Sequence, residues 1–273
     1  MALLSVNVNK IAVLRNSRGG ATPSVQRAAS TALAAGCGGI TVHPRPDLRH
    51  IHPEDVFALK ALVGAAEYNI EGNPFAPAHG QYPGFMTLIE RVRPTQATLV
   101  PDGDGQITSD HGWDIATHAA RLRPVIQQIR AWGVRVSLFV DSTTTELDSI
   151  CELGADRIEI YTGPYAQEFL KQGIKERDLC AQLARRAAAL GLGVNAGHDL
   201  NQENLACLLQ SAPEICEVSI GHALICEALY QGLTQAVQRY LEIITDAEVR
   251  PTSNNTVGRA NVALKKPSIA RLF

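Results

Sequence analysis

The residues most able to do chemistry crowd into Gly39-Ile40-Thr41-Val42-His43-Pro44-Arg45-Pro46-Asp47-Leu48-Arg49-His50. A short apolar run ends on His43, and a proline-punctuated turn follows with two arginines and a second histidine. Pro44 and Pro46 set the backbone on both sides of Arg45, so its guanidinium is expected to be held in place. A base at a strand end beside a preset cation is how a site for a phosphorylated molecule is built. The plainer alternative is a strand followed by a solvated basic turn.

Other acid/base and anion-binding residues fall at comparable places. Glu71 closes Tyr68-Asn69-Ile70-Glu71-Gly72, where partial desolvation would raise its pKa towards general-base duty. His198, in Asn195-Ala196-Gly197-His198-Asp199, is a second acid/base candidate beside His43. Glu159 stands between Ile158 and Ile160 and alternates into the interior, either as a buried network member or as an aid to catalysis. Ser219-Ile220-Gly221-His222 ends an apolar run and opens a helix, so the Gly221 and His222 amides would point at an anion. Residues 195–199 would form the other wall of that seat. A second, cationic seat combines Arg45, His50 and Thr108 across the mouth. Two anion seats with acid/base groups between them imply two phosphorylated substrates, or one bisphosphate. Lys10 follows a strand end and reads as an anion contact or surface lysine rather than a Schiff-base lysine. His50-x-His52 lies in a turn with no thiol or carboxylate at ligand spacing beside it, so no metal is expected.

These residues need a scaffold that brings eight strand ends together. Leu4–Val8, Gly39–His43, Tyr68–Glu71, Ala97–Val100, Val134–Val140, Arg157–Tyr161, Gly193–Asn195 and Val218–Ile220 read as strands, with amphipathic segments between them. Thr22-Pro23 and His52-Pro53 precede helices over Ser24–Ala35 and Asp55–Ala66. Thr143-x-x-Glu146 reads as a capping box opening a helix to Leu153. Ile225–Ile244 has helical spacing throughout. Asp114–Trp132 contains Pro124 and so is kinked or split, and Gln167–Leu190 is interrupted at Gly173. Eight alternating strands in 273 residues predict a (β/α)8 TIM barrel with extra helices over residues 1–245, followed by a C-terminal extension, 246–273. An open doubly wound sheet is the alternative, but no GxGxxG follows the first strand.

The chain is 45% hydrophobic with a formal charge of −2, which argues against a nucleic-acid binder held by phosphate contacts. It has no long apolar run and no charged-then-apolar start, so neither a membrane span nor a signal peptide is expected. Six cysteines without CxxC spacing suit a reducing cytoplasm.

The motifs resemble those of the pyridoxine 5′-phosphate synthase family. They are Val6-Asn7-Val8-Asn9-Lys10-Ile11-Ala12, Leu14-Arg15-Asn16-Ser17-Arg18-Gly19, the His43 turn to Ile51, Asn69-Ile70-Glu71, Leu99-Val100-Pro101, Val136-Ser137-Leu138-Phe139, Ile158-Glu159-Ile160, Val194–His198 and Ile220-Gly221-His222-Ala223. The resemblance spans roughly residues 4–243 and implies a (β/α)8 barrel assembled as a homo-octamer, a tetramer of dimers. It implies condensation of 3-amino-2-oxopropyl phosphate with 1-deoxy-D-xylulose 5-phosphate to pyridoxine 5′-phosphate, phosphate and water, without metal or organic cofactor. Glu71 and His43 would be general bases, His198 a general acid, and Glu159 an aid to charged intermediates. Arg45, His50 and Thr108 would hold the xylulose phosphate; Asn7, Arg18, Gly221 and His222 would hold the aminoketone phosphate. The chain departs from the family pattern at Asn9-Lys10, where the pattern has Asp-His, and at Asp199, where it has glycine. Asn9 and Lys10 lose one negative charge and gain a positive one beside an anionic substrate.

Two other readings compete. A metal-dependent hydrolase or lyase of a sugar phosphate would show chelator-sensitive activity. A catalytically dead homologue, suggested by Asn9, Lys10 and Asp199, would bind phosphorylated ligands without turnover.

Overall fold

The computed structural model describes residues 1–103 and 105–249. Eight parallel strands close into a barrel in sequence order. They are β1 (Leu3–Asn7), β2 (Gly39–Val42), β3 (Glu67–Gly72), β4 (Gln96–Leu99), β5 (Arg135–Asp141), β6 (Arg157–Tyr161), β7 (Gly193–Gly197) and β8 (Ile215–Ile220). The helices up to the barrel's midpoint are α1 (Asn9–Asn16), α2 (Val25–Ala34), α3 (Pro53–Val63), α4 (Phe85–Val92) and α5 (Ile115–Ala131). Those that follow are α6 (Leu147–Leu153), α7 (Gly163–Phe169), α8 (Lys175–Ala189), α9 (Leu205–Ser211), α10 (His222–Gln231) and α11 (Leu233–Val249). Among the described residues no helix is long and apolar enough to cross a membrane.

Strand alternation divides the residues between two environments. Leu4, Val6, Ile40, Val42, Tyr68, Ile70, Leu138, Ile158 and Ile160 join the main hydrophobic core with the surrounding helices. Their neighbours face inward and are largely polar. Ser5 Oγ lies 2.7 Å from Thr41 Oγ1, Asn69 donates to Thr41 Oγ1 at 3.4 Å, and Thr98 Oγ1 sits 3.0 Å from Asn69 Oδ1 and 3.3 Å from Glu159 Oε2. At the N-terminal end of the barrel Arg135 binds Glu67 and Gln96, while Arg157 reaches Glu217 and Asn195. These inward polar side chains explain why β3, β4 and β8 begin before the apolar runs that announced them. Glu67, Gln96 and Glu217 belong to the strands but break the hydrophobic pattern.

The helices modify three expectations. Asp114–Trp132 yields one continuous helix, α5, with Pro124 inside it. The missing ladder bond and ring clash cost about 3 kcal/mol; burying Leu122, Ile126 and Ile129 against the barrel returns about 1.5–3 kcal/mol each. The capping box at Thr143 does not form. Helix α6 starts at Leu147, and the Glu146 carboxylate instead accepts from the Thr145 amide and hydroxyl at 3.0 and 2.9 Å. The segment Ile225–Ile244 is two helices, parted at Gly232, whose φ of +85° suits glycine. Helices α1, α7 and α10 follow β1, β6 and β8 as additions to the usual eight. Helix α11 continues to Val249, past the boundary expected at Thr245; the remainder of the extension lies outside the described residues.

Candidate active site

Near the C-terminal strand ends, the customary place for barrel chemistry, side chains converge on one cavity of about 540 Å³. Asn7, Glu71, Phe139 and Glu159 reach it from strands, while His43, Val100, His198 and Asp199 reach it from just beyond strand ends. Asn9 and Lys10 enter from α1, and Arg45, Arg49 and His50 from the turn after β2. Ile107, Thr108 and Ser109 come from the loop after β4, and Ser219 to Ala223 from β8 and the start of α10. The expected catalytic and binding side chains lie here except Arg18, which stands exposed on the turn after α1, and of the wall expected over residues 195–199 only His198 and Asp199 line the cavity.

His43 is buried, and its amide donates to Asn9 Oδ1 at 2.9 Å. Asn9 therefore fixes the end of β2 as well as facing the cavity. The two ring nitrogens of His43 point at different carboxylates, Nδ1 at 3.9 Å from Glu71 Oε2 and Nε2 at 3.8 Å from Asp102 Oδ2. Burial, and then the positive field of Arg45 and its neighbours, hold its pKa well below the usual imidazole value. Glu71 is moved the other way. Burial first, then the charges of Glu159, Asp102 and Glu217, lift its carboxyl well above the usual range. Glu159 is pushed up to about 8 by burial and by Glu217, which is itself raised to about 7. Burial thus favours the uncharged form of both groups, the carboxylic acid for Glu71 and the neutral imidazole for His43.

Glu159 lies in mid-strand rather than at a strand end, and depends on a glycine opposite. A Cβ at Gly197 would run into its carboxylate. Asn195 is also deeper than expected: it accepts from Arg157 at 2.8 Å and does not line the cavity wall.

The anion seats are differently composed from the sequence expectation. His50 is not a cation, because burial and then Arg45, Lys10 and Arg49 lower its pKa to about 3. Its Nδ1 accepts from the Ile51 amide at 3.0 Å, which leaves Nε2–H as a neutral donor. Arg45 is held as the flanking prolines suggested, but by an ion pair to Asp102 and a 3.0 Å bond to the Gln106 carbonyl. Arg49 donates to the Gln106 and Ile107 carbonyls at 2.9 and 3.1 Å, fastening the loop after β4 to the turn after β2. That loop crosses the mouth, so Thr108 Oγ1 sits 2.7 Å from His198 Nε2 rather than beside Arg45 and His50. Gly221 and His222 stand at the start of α10 beside Asn7, with room that a Cβ at Gly221 would take. Both residues border the cavity on the same side as Lys10 and Asn9 of α1.

His198 and Asp199 have φ of +87° and +58°, a left-handed pair without glycine that costs about 1–3 kcal/mol per residue. The Thr162 hydroxyl, 2.6 and 2.5 Å from the Gly197 and His198 carbonyls, and Asn204, donating to the Asp199 carbonyl at 3.1 Å, secure it. The Asp199 carboxylate turns to His198 Nδ1 at 3.1 Å, and that contact lowers its pKa. At this departure from glycine, His198 gains a neighbouring carboxylate, although its buried Nδ1 makes no well-aligned hydrogen bond among the described residues.

Sequence reasoning missed Asp102 and Ser109, and it noted Arg49 in the basic turn without giving it a place in the site. Asp102 was within reach, since it is the residue after Pro101 at the one strand end that otherwise offers no acid, base or amide.

Residues 4–246 match the family model described as pyridoxal phosphate biosynthesis protein PdxJ. The pyridoxine 5′-phosphate synthase of Xanthomonas campestris pv. campestris is 59% identical over 244 residues, covering 88% of this chain and 95% of the relative. That of Xylella fastidiosa is 58% identical over 245 residues, covering 88% and 94%. Among solved structures, the tryptophan synthase A-subunit of Pyrococcus furiosus aligns with a TM-score of 0.57 at 14% identity, over 88% of this chain and 97% of that one. Thiamine phosphate pyrophosphorylase from Pyrococcus furiosus aligns with a TM-score of 0.55 at 10% identity, over 90% and 96%. Those two likenesses are of fold alone.

Proposed function

The chain belongs to the pyridoxal phosphate biosynthesis PdxJ family, and from that premise we propose how its residues divide the work. Its activity is the pyridoxine 5′-phosphate synthase reaction of vitamin B6 biosynthesis. It condenses 3-amino-2-oxopropyl phosphate with 1-deoxy-D-xylulose 5-phosphate to pyridoxine 5′-phosphate, with loss of phosphate and water. An amine–ketone condensation, dehydrations and a phosphate elimination need repeated proton transfers and no net redox step.

The observation that carries the residue roles is the 3.9 Å approach of His43 Nδ1 to Glu71 Oε2 in one cavity, where burial lowers the pKa of the first and raises that of the second. Groups whose environments push their pKa values apart divide acid and base work between them. Neutral His43 offers the lone pair that accepts the proton, and its lowered pKa makes it pass that proton on readily. Glu71 begins as a donor and becomes a base when the substrate's amine arrives, because a cation beside it favours the carboxylate. His198, with Thr108 on Nε2 and Asp199 on Nδ1, is the acid that protonates leaving oxygens. Glu159 faces cationic intermediates from the floor of the cavity, where it neutralises them by ionising.

Arg45 and the neutral His50 donor hold the xylulose phosphate that is expelled, and Thr108 joins them only by leaving His198. Asn7, Lys10 and the Gly221 and His222 amides hold the aminoketone phosphate that is retained. Arg18 enters the cavity only if its loop moves or another protomer supplies it. Assembly as a homo-octamer, a tetramer of dimers, and a cytoplasmic location complete this reading; light scattering of the purified protein tests the first.

The deciding experiment incubates the protein, treated with chelator, with both phosphates and follows the pyridoxine chromophore. Product at a rate unchanged by chelator is expected. Binding of both phosphates without product would reject the assignment in favour of a binding protein, and activity restored only by added metal would favour a metal-dependent lyase.

A further inference from the structure

We propose that Asp102 is a further positioning residue of this reaction: it occupies Arg45 until a substrate phosphate arrives, and then orders His43 through Nε2. The proposal rests on the synthase reading above for its catalytic half, and on geometry alone for its binding half.

Asp102 is 7% exposed. Its Oδ2 is ion-paired with Arg45, accepts from the Ser109 hydroxyl at 2.8 Å and lies 3.8 Å from His43 Nε2. Its Oδ1 has no hydrogen-bond partner among the described residues, and the residue helps line a second cavity of about 210 Å³ together with Arg45, Asn73, Phe75 and Tyr82. A buried carboxylate with one oxygen unmatched is costly, so the pair with Arg45 is a poorly satisfied resting arrangement. A phosphate offers the guanidinium more charge and a bidentate fit. When it displaces Asp102 from Arg45, the carboxylate keeps the Ser109 hydroxyl and reaches His43 Nε2–H, 3.8 Å away, as its further donor by a short side-chain rotation. The new bond fixes the His43 tautomer with its Nδ1 lone pair towards Glu71 and the reacting carbons. Substrate binding is thereby coupled to the readiness of the base.

The groups facing His43 are Glu71 from β3, Arg45, Arg49 and His50 from its own turn, and Asp102 from the loop after β4. Among them only Asp102 touches both the base and the phosphate seat's cation.

Asp102→Asn tests this, with Asp102→Glu as the variant that keeps the charge. In the asparagine variant kcat falls by about tenfold or more, yet KM for 1-deoxy-D-xylulose 5-phosphate also falls, because Arg45 has lost its internal competitor. A carboxylate beside imidazole favours the imidazolium, so its loss lowers the His43 pKa and moves the acid limb of the kcat profile to lower pH. The glutamate variant returns the limb towards its wild-type position. A rise in KM together with the fall in kcat, and an unmoved acid limb, would reduce Asp102 to a structural strut. Titration calorimetry with inorganic phosphate gives an arm that needs no turnover. Tighter binding by Asp102→Asn than by wild type supports the displacement, and equal or weaker binding overturns it. A wild type that makes no product would count against the synthase reading alone.

Discussion

Glu71→Gln is expected to lower kcat by about 10²–10⁴-fold, with KM for both phosphates little changed. Glutamine keeps the volume and one hydrogen-bond acceptor, so Asn7 retains its 3.5 Å contact and the cavity its shape. What disappears is the capacity to give and take a proton. The side chain is nearly enclosed, at 13% exposure, so bulk water does not readily replace it. Steady-state rates with each phosphate varied in turn check the result. A loss confined to KM would make Glu71 a binding group, and a variant of normal kcat would remove it from the mechanism.

Glu159→Gln is expected to stabilise the protein in alkali while impairing catalysis. Glu159 has its folded pKa raised to about 8 by burial and Glu217. Its neutral form therefore contributes stability that is complete below the ordinary glutamate pKa and is lost as pH rises through about 8. Glu217, raised to about 7, adds a loss in the same direction slightly earlier. Glutamine cannot ionise, so the variant escapes its share of that decline. Near pH 9 the gain is on the order of 3 kcal/mol, or roughly 5–10 °C in Tm for a chain of this size. Near pH 5 the two proteins melt alike. Thermal melts from pH 5 to 9 decide it, since a Tm difference that stays constant with pH would mean that Glu159 is ionised in the resting barrel.

Much of this was legible in the chain because two periodicities coincide at strand ends. Ile40 and Val42 mark a buried strand, and His43 follows at its end, so fold and site announced each other. The same held for Ile70-Glu71 and for Ile220-Gly221-His222. The sequence was less legible where polar residues serve the interior. Glu67, Gln96 and Glu217 begin or interrupt strands inside the barrel, and a hydrophobic pattern reads them as loop. Pairings across the mouth were the least accessible. Thr108 meets His198 and Asp102 meets Arg45 only because the loop after β4 folds over the cavity, a path fixed by arginine-to-carbonyl bonds that leave no periodic trace. The charge of His50 also depended on burial, which composition alone does not report.

The hydroxyls, amides and carboxyls that line the barrel from Ser5 round to Glu217 carry a calorimetric consequence. Exposing apolar surface raises the heat capacity of the unfolded chain, and exposing polar surface lowers it. A barrel filled by branched aliphatic side chains takes the full increase; this one gives part of it back through Thr41, Asn69, Thr98, Glu159 and Asn195. Its free energy of unfolding consequently bends less with temperature, and the range over which the fold persists is broadened at both ends by the flatness of that curve.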